Sequence, residues 1–265
     1  MNKYLLSVVG CLVLGLTACT QQPTVDDVVM QTAKAMGGVE KLDSITDQVS
    51  DWDFTMHATP PGADETTADQ DHGEMTPMSI PMKITYKRPN KIRFDFLGPD
   101  GQSFQSTCYD GVTGWSMNAG QKIDKSELEL QQDEDMASSW IDGFLHYKDK
   151  GTTLELLPNE VMDGKEYTVM KATGKTGLPM TYHIDAETHQ IARQAGDMLN
   201  FQGELEPMYM TLSDYKMVDG FALAQHVAQY RANGEMLWEA TLTSASNNIG
   251  VEDATFMPDN MMSAK

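Results

Sequence analysis

Cys19 closes the run Leu16-Thr17-Ala18-Cys19, and its thiol is the side chain best placed for covalent chemistry in this 265-residue sequence. Lys3 precedes an apolar or small stretch from Tyr4 to Leu16, and two small residues then come before the cysteine. The stretch is too short to span a bilayer, which takes about 20 apolar residues. Small residues after such a stretch mark a cleavage site. Cys11 lies inside the leader, so Cys108 is the one other cysteine left beside Cys19 after cleavage. No Cys-His signature surrounds Cys108, which reads as a small buried residue on a strand. There is no G-x-S-x-G, no H-E-x-x-H and no glycine-rich phosphate loop. His57, His72, Met75, Met78 and Met82 supply imidazole and thioether groups that suit copper, Cu(I) above all. Their spacing is loose, so the expectation is a loop without a metal. His183 and His189 flank a predicted hairpin turn and read as a solvated pair. These residues predict neither an enzyme nor a bound cofactor.

The Leu16 to Cys19 run resembles a bacterial lipobox. The resemblance implies that residues 1–18 are removed as a lipoprotein signal peptide. It further implies diacylglycerol on the Cys19 thiol and an N-acyl group on the new terminus. A Cys19 taken by lipid leaves Cys108 without a disulfide partner. Residues 19–24 then form a polar tether, and the membrane becomes a covalent partner. Thr20 and Gln21 follow the cysteine. The lack of an Asp there implies the outer membrane, with the protein facing the periplasm.

The formal net charge is -20, which becomes -21 once Lys3 leaves with the leader (-20 minus 1). Such acidity argues against nucleic acid, which binds basic patches, and against adsorption to anionic headgroups. It reads as a solubility device. At about 150 residues per domain, residues 25–265 fit a single domain, read here as a monomer. An exported chain without a disulfide must be held by its core.

Thr24 is placed to cap a helix whose apolar positions run Val25, Val28, Val29, Thr32, Ala33 and Met36, ended by Gly37-Gly38. A short turn from Val39 to Ile45 follows. Residues 58–81, rich in Pro, Gly, Asp, Glu and Thr, lack periodicity and read as a long inserted loop. Strands are predicted over 49–57, 82–87, 91–97, 103–109 and 112–117, and later over 152–157, 166–172, 180–184, 190–195, 209–217, 221–230 and 236–244. Between the two groups, Met136, Trp140 and Phe144 sit four apart beside Ile141 and Leu145. That spacing predicts an amphipathic, lid-like helix from Asp133 to Tyr147, with Asp133-Glu134-Asp135 at its positive end. The fold class is therefore α+β: a large curved antiparallel sheet forming an unclosed β-barrel, with an N-terminal helix and a lid-like helix.

Several pieces of text accompany this pattern. Tyr86-Lys87-Arg88-Pro89-Asn90-Lys91-Ile92-Arg93-Phe94 precedes a glycine turn, then come Tyr109-Asp110-Gly111 and Gly114-Trp115. Later come Tyr182-His183-Ile184-Asp185, Asp214-Tyr215-Lys216 with Asp219-Gly220, Asn247-Asn248-Ile249 and Phe256-Met257-Pro258. In this order they resemble the outer-membrane lipoprotein-sorting family around LolA and LolB. The resemblance implies an unclosed barrel wrapped round a helix, with an apolar concave face that receives acyl chains. The chain is longer than either namesake, chiefly through residues 58–81, and the family's lid-locking arginine has no assigned counterpart.

Alternation gives the candidate lining of such a face: Ile92, Phe94 and Phe96; Tyr182; Met208 and Met210; Phe221 and Leu223; with Met136, Trp140 and Phe144 from the helix. A methionine count of 20 suits ligands of variable shape. The function expected is a lipid-anchored periplasmic protein binding acyl chains or lipidated proteins, in lipoprotein sorting. The alternative is an envelope lipoprotein with a filled core that acts through protein contacts.

Overall fold

A computed structural model describes residues 22–57, 78–200 and 203–258. Cys19 and its tether to Gln21, and loop residues 58–77 with His72 and Met75, lie outside the described residues. Helix α1 (Val25–Ala35) begins with a full capping box, in which Thr24 and Asp27 bond each other's backbone amides. Helix α2 (Val39–Ser44) follows. Gly37, at φ +126, separates them; a Cβ there would lie 2.3 Å from the Gly220 carbonyl oxygen.

The strands are β1 (Asp47–Met56), β2 (Met78–Lys87), β3 (Lys91–Leu97), β4 (Ser103–Tyr109), β5 (Gly114–Asn118) and β6 (Gln121–Asp124). After helix α3 (Glu127–Ser139) come β7 (Thr153–Met162), β8 (Lys165–Thr173), β9 (Pro179–Asp185), β10 (Ile191–Leu199), β11 (Leu205–Ser213), β12 (Lys216–Val218), β13 (Phe221–Leu223), β14 (His226–Arg231) and β15 (Met236–Asn247). Thirteen of them form one antiparallel sheet in the order β6-β5-β4-β3-β2-β1-β15-β14-β11-β10-β9-β8-β7. The sheet is unclosed, with β6 and β7 at its edges. Strands β12 and β13 pair apart from it.

Four sequence expectations are corrected. Met78 to Pro81 belong to β2, because Asp53 to Met56 of β1 pair with them; the inserted loop is shorter than its composition implies. Strand β6, with every residue exposed, carried no apolar alternation to mark it. The predicted strands 209–217 and 221–230 each break, at Asp214 and before His226, and yield the β12–β13 hairpin. The lid-like helix is displaced. α3 starts at Ser126, which forms a capping box with Glu129, and ends at Ser139. Residues 140–151 are turns, with Gly143, His146 and Gly151 at positive φ. Asp133 therefore lies at the middle of α3, and Glu134 and Asp135 in its C-terminal half, where the helix dipole does not favour them. Lys125 pairs with Asp133, Lys175 with Glu134, and the amides of Lys175 and Thr176 donate to Asp135. The acidic run that looked like a helix start is a set of side chains with outside partners.

The core lies on the concave face. Val28, Val29, Leu42, Ile45, Tyr86, Ile141, Phe144, Leu145 and Phe221 form one cluster, and Trp52, Phe54, Ile84, Ile92, Tyr109 and Ala137 a second. Trp140 and Leu223 touch both. Tyr86 is 1% exposed. Burial, only partly offset by the Arg88 guanidinium, pushes its phenol up to about 12. An unfolded phenol ionises near pH ~10, so the stability that neutral Tyr86 contributes is complete below that pH. It falls away as the pH rises toward about 12. Tyr86→Phe is therefore expected to move the midpoint of alkaline unfolding upward; an unchanged midpoint would contradict this.

Candidate functional site

Strand register places the proposed lining residues. On β3, Ile92, Phe94 and Phe96 pair opposite Tyr86, Ile84 and Met82 and share their face. On β10 and β11, Gln194 faces Met210 and Gly196 faces Met208, on the side of Tyr182 and Met180. Ile92, Phe94, Phe96, Met136 and Trp140 gather in one cluster, Phe144, Tyr182 and Phe221 in the other, and Leu223 joins both. Met208 is buried at 3% exposure. Met210 is half-buried, and the Gln194 side-chain amide lies 3.8 Å from its sulfur. Met56, Phe96, Met180, Met198 and Trp238 share this concave face and are also only half-buried.

The segment 140–151 fills the space between the two arms of the sheet. Trp140 meets Phe94 of β3 edge-on, with ring centroids 5.9 Å apart. Phe144 meets Tyr182 of β9 edge-on at 4.8 Å. β3 and β9 stand seven places apart in the sheet order. The sheet must curve strongly to bring them onto residues four apart in the chain. Trp140 and Phe144 thus form an aromatic plug that ties one arm to the other.

A polar latch holds the plug. Arg88, just past β2, donates from Nε to the Ile45 carbonyl at 2.6 Å and from Nη2 to the Leu42 carbonyl at 2.7 Å. Its Nη1 reaches Asp142 of the plug at 3.1 Å. The Asp142 side chain is 3% exposed and also pairs with Lys150. Burial lowers the Lys150 ammonium despite the nearby Asp142 carboxylate. A buried carboxylate needs such partners, because an unpaired one is costly. Two further contacts fasten the plug to the N-terminal helices: His146 with Asp43 at 2.9 Å, and the Tyr147 hydroxyl donating to Asp26 at 3.0 Å. Beside the latch is a cleft of about 270 Å³ whose lining includes Arg88, Asn90, Ser138, His146 and Lys175.

From the sequence, Arg88 stood out only as part of the Tyr86 to Phe94 text, with no site role, and Asp142 and Lys150 did not stand out at all. A signal was available: Asp142 interrupts the apolar run Trp140, Ile141, Phe144 and Leu145, and a carboxylate there calls for a cation. The remaining candidates separate. His57 bonds Glu239 at 2.9 Å on the outer face, whereas Met82 is buried in the concave core, so these two do not share a site. His183 is buried and bonds Glu160 at 3.0 Å; it is not solvated. Cys108 is 1% exposed, and burial pushes its thiol up to about 12, the inert side chain that the sequence implied.

No family model and no curated protein matches the sequence. Solved structures do match the fold. A LolA superfamily protein from Nitrosomonas europaea aligns with a TM-score of 0.57 at 13% identity, covering 88% of this chain and 97% of that one. A DUF1329 family protein from Desulfovibrio piger gives the same values. An outer membrane lipoprotein-sorting protein domain from Vibrio parahaemolyticus aligns at 0.56 and 12% identity, over 86% and 94% of the two chains. The chain has a LolA-like fold, as its text and strand pattern implied.

Proposed function

From that fold, we propose that this protein is a lipid-anchored component of the bacterial cell envelope that takes acyl chains, free or on lipidated proteins, into its concave face. The observation that carries the reading is the plug. Trp140 and Phe144 occupy the space between the arms, and they belong to turns rather than to a regular helix. Turns held by side chains can be displaced at lower cost than a packed strand. Displacement would uncover Phe94 and Tyr182, on the same face as the half-buried Phe96 and Met210. Each methylene transferred from water to such a surface contributes about 0.8 kcal/mol, so a long chain needs no polar readout. The methionines supply adaptable surface.

In this reading Cys19 carries diacylglycerol and an N-acyl group, and the protein sits at the outer membrane facing the periplasm. No described helix is long and apolar enough to cross a membrane. The activity is binding or transfer, not catalysis, and the concave face takes the acyl part of a lipid or lipoprotein. The reading is tested by mass spectrometry. A denatured sample of the full-length product is expected to carry the lipid mass on Cys19. A native sample of a chain lacking residues 1–19 is expected to retain a non-covalent lipid. An unmodified Cys19 would remove the anchor, and a chain that takes up no acyl ligand would remove the binding function.

A further inference from the structure

Beyond β15 the chain forms a strap across the outer face of β3, β4 and β5. Arg93 Nη1 donates to the Thr255 carbonyl at 2.9 Å, and Trp115 Nε1 to the Phe256 carbonyl at 3.1 Å. The Phe256 ring is buried among Cys108, Trp115 and Met117. Asp253 pairs with Lys87 at 2.9 Å and Lys91 at 3.0 Å. At the root of the strap, Asn248 takes the left-handed conformation, φ 57. Its Oδ1 accepts from the Thr46 amide at 2.7 Å and hydroxyl at 3.0 Å, and its Nδ2 donates to the Ser44 carbonyl at 3.0 Å. Asp47 Oδ1 accepts from the amides of Ile249 and Gly250.

These anchor points are also those of the latch. In the junction 42–47, Arg88 holds the carbonyls of Leu42 and Ile45 by its side chain and that of Thr46 by its amide. Asn248 holds Ser44 and the amide of Thr46. In the turn 87–91, Lys87 and Lys91 grip the strap while Arg88, between them, grips the plug. We propose that the strap controls opening of the plug: it clamps from outside the junction whose carbonyls Arg88 must find from inside, so releasing the strap loosens the latch. This device rests on the reading of residues 140–151 as a movable plug. The junction is the shared element whose position both sides bias.

Hydrogen exchange in the mature chain tests it without any ligand. The plug amides Gly143, Leu145 and Tyr147 are hydrogen-bonded and report opening. Phe54 and Ala240, paired in the central strands, serve as reference. Asn248→Gly keeps the left-handed backbone and removes the side-chain bonds. It is expected to accelerate plug exchange about tenfold with the reference unchanged, and to add less than about twofold in an Arg88→Gln background. Faster exchange at Ile249 and Gly250 with plug rates unchanged would overturn the coupling. Should the reference amides accelerate as well, Asp253→Asn, a change at an exposed carboxylate, decides by the same comparison. Acyl binding is not read in this experiment, so loss of the binding function and loss of the coupling are distinguished.

Discussion

Arg88→Ala is expected to release the plug. The substitution removes a guanidinium that bonds two backbone carbonyls and the carboxylate of Asp142, whose side chain is 3% exposed. Breaking a buried pair by deleting one partner costs about 3–5 kcal/mol. Lys150 remains beside Asp142, which places the expected loss near the lower end, about 3 kcal/mol. The loss falls on the local opening of residues 140–151 before it falls on the sheet, so exchange at Gly143 and Leu145 should accelerate about a hundredfold. Arg88→Lys keeps the charge but cannot satisfy three acceptors with a planar fork, and should fall between. Plug exchange at the wild-type rate in Arg88→Ala would show that Arg88 is not the latch.

Trp140→Ala is expected to separate binding from folding. Trp140 touches both core clusters and meets Phe94 edge-on at 5.9 Å. A buried Trp→Ala change costs about 3–5 kcal/mol, and Trp140 is only half-buried, so a loss near 3 kcal/mol is expected. The vacated space adjoins Phe94, in the cluster that also holds Phe96 and Met136, where the proposed acyl binding would take place. Affinity for a fluorescent fatty acid should therefore rise about tenfold, equivalent to about 1.4 kcal/mol. The same stability loss with unchanged affinity would place Trp140 in an ordinary core and favour the alternative of a filled protein-interaction module.

Much of the fold was legible because its signals are local. Thr24 with Asp27 marks the start of α1, and the alternation of Ile92, Phe94 and Phe96 sets the face of β3 by geometry alone. The sheet's openness and curvature followed from the number of short strands and the text they share with a known fold. The plug was misread for a physical reason. Its apolar residues fall at helical spacing, but they do so because they reach two different arms of the sheet, and the backbone between them turns through Gly143 and His146 at positive φ. Spacing reports which side chains are buried, not which backbone conformation buries them. The latch depends on contacts between residues 88, 42, 45 and 142, and such long-range pairing leaves no periodic trace. The candidate residues fall into two clusters, with Met208 and Met210 outside both, and the role of Trp140 and Phe144 as an aromatic plug between the arms could be recognised only from their contacts.

The central claim is that the concave face receives acyl chains, and native mass spectrometry addresses it most directly. The chain lacking residues 1–19, purified from the periplasm, would be measured natively and again after denaturation. The expected result is an added mass in the range of a lipid, present natively and lost on denaturation, with uptake of added phospholipid or acylated peptide by emptied protein. A bare chain mass in both states, with no uptake of either ligand, would contradict the claim and leave the curved sheet as a scaffold for protein contacts.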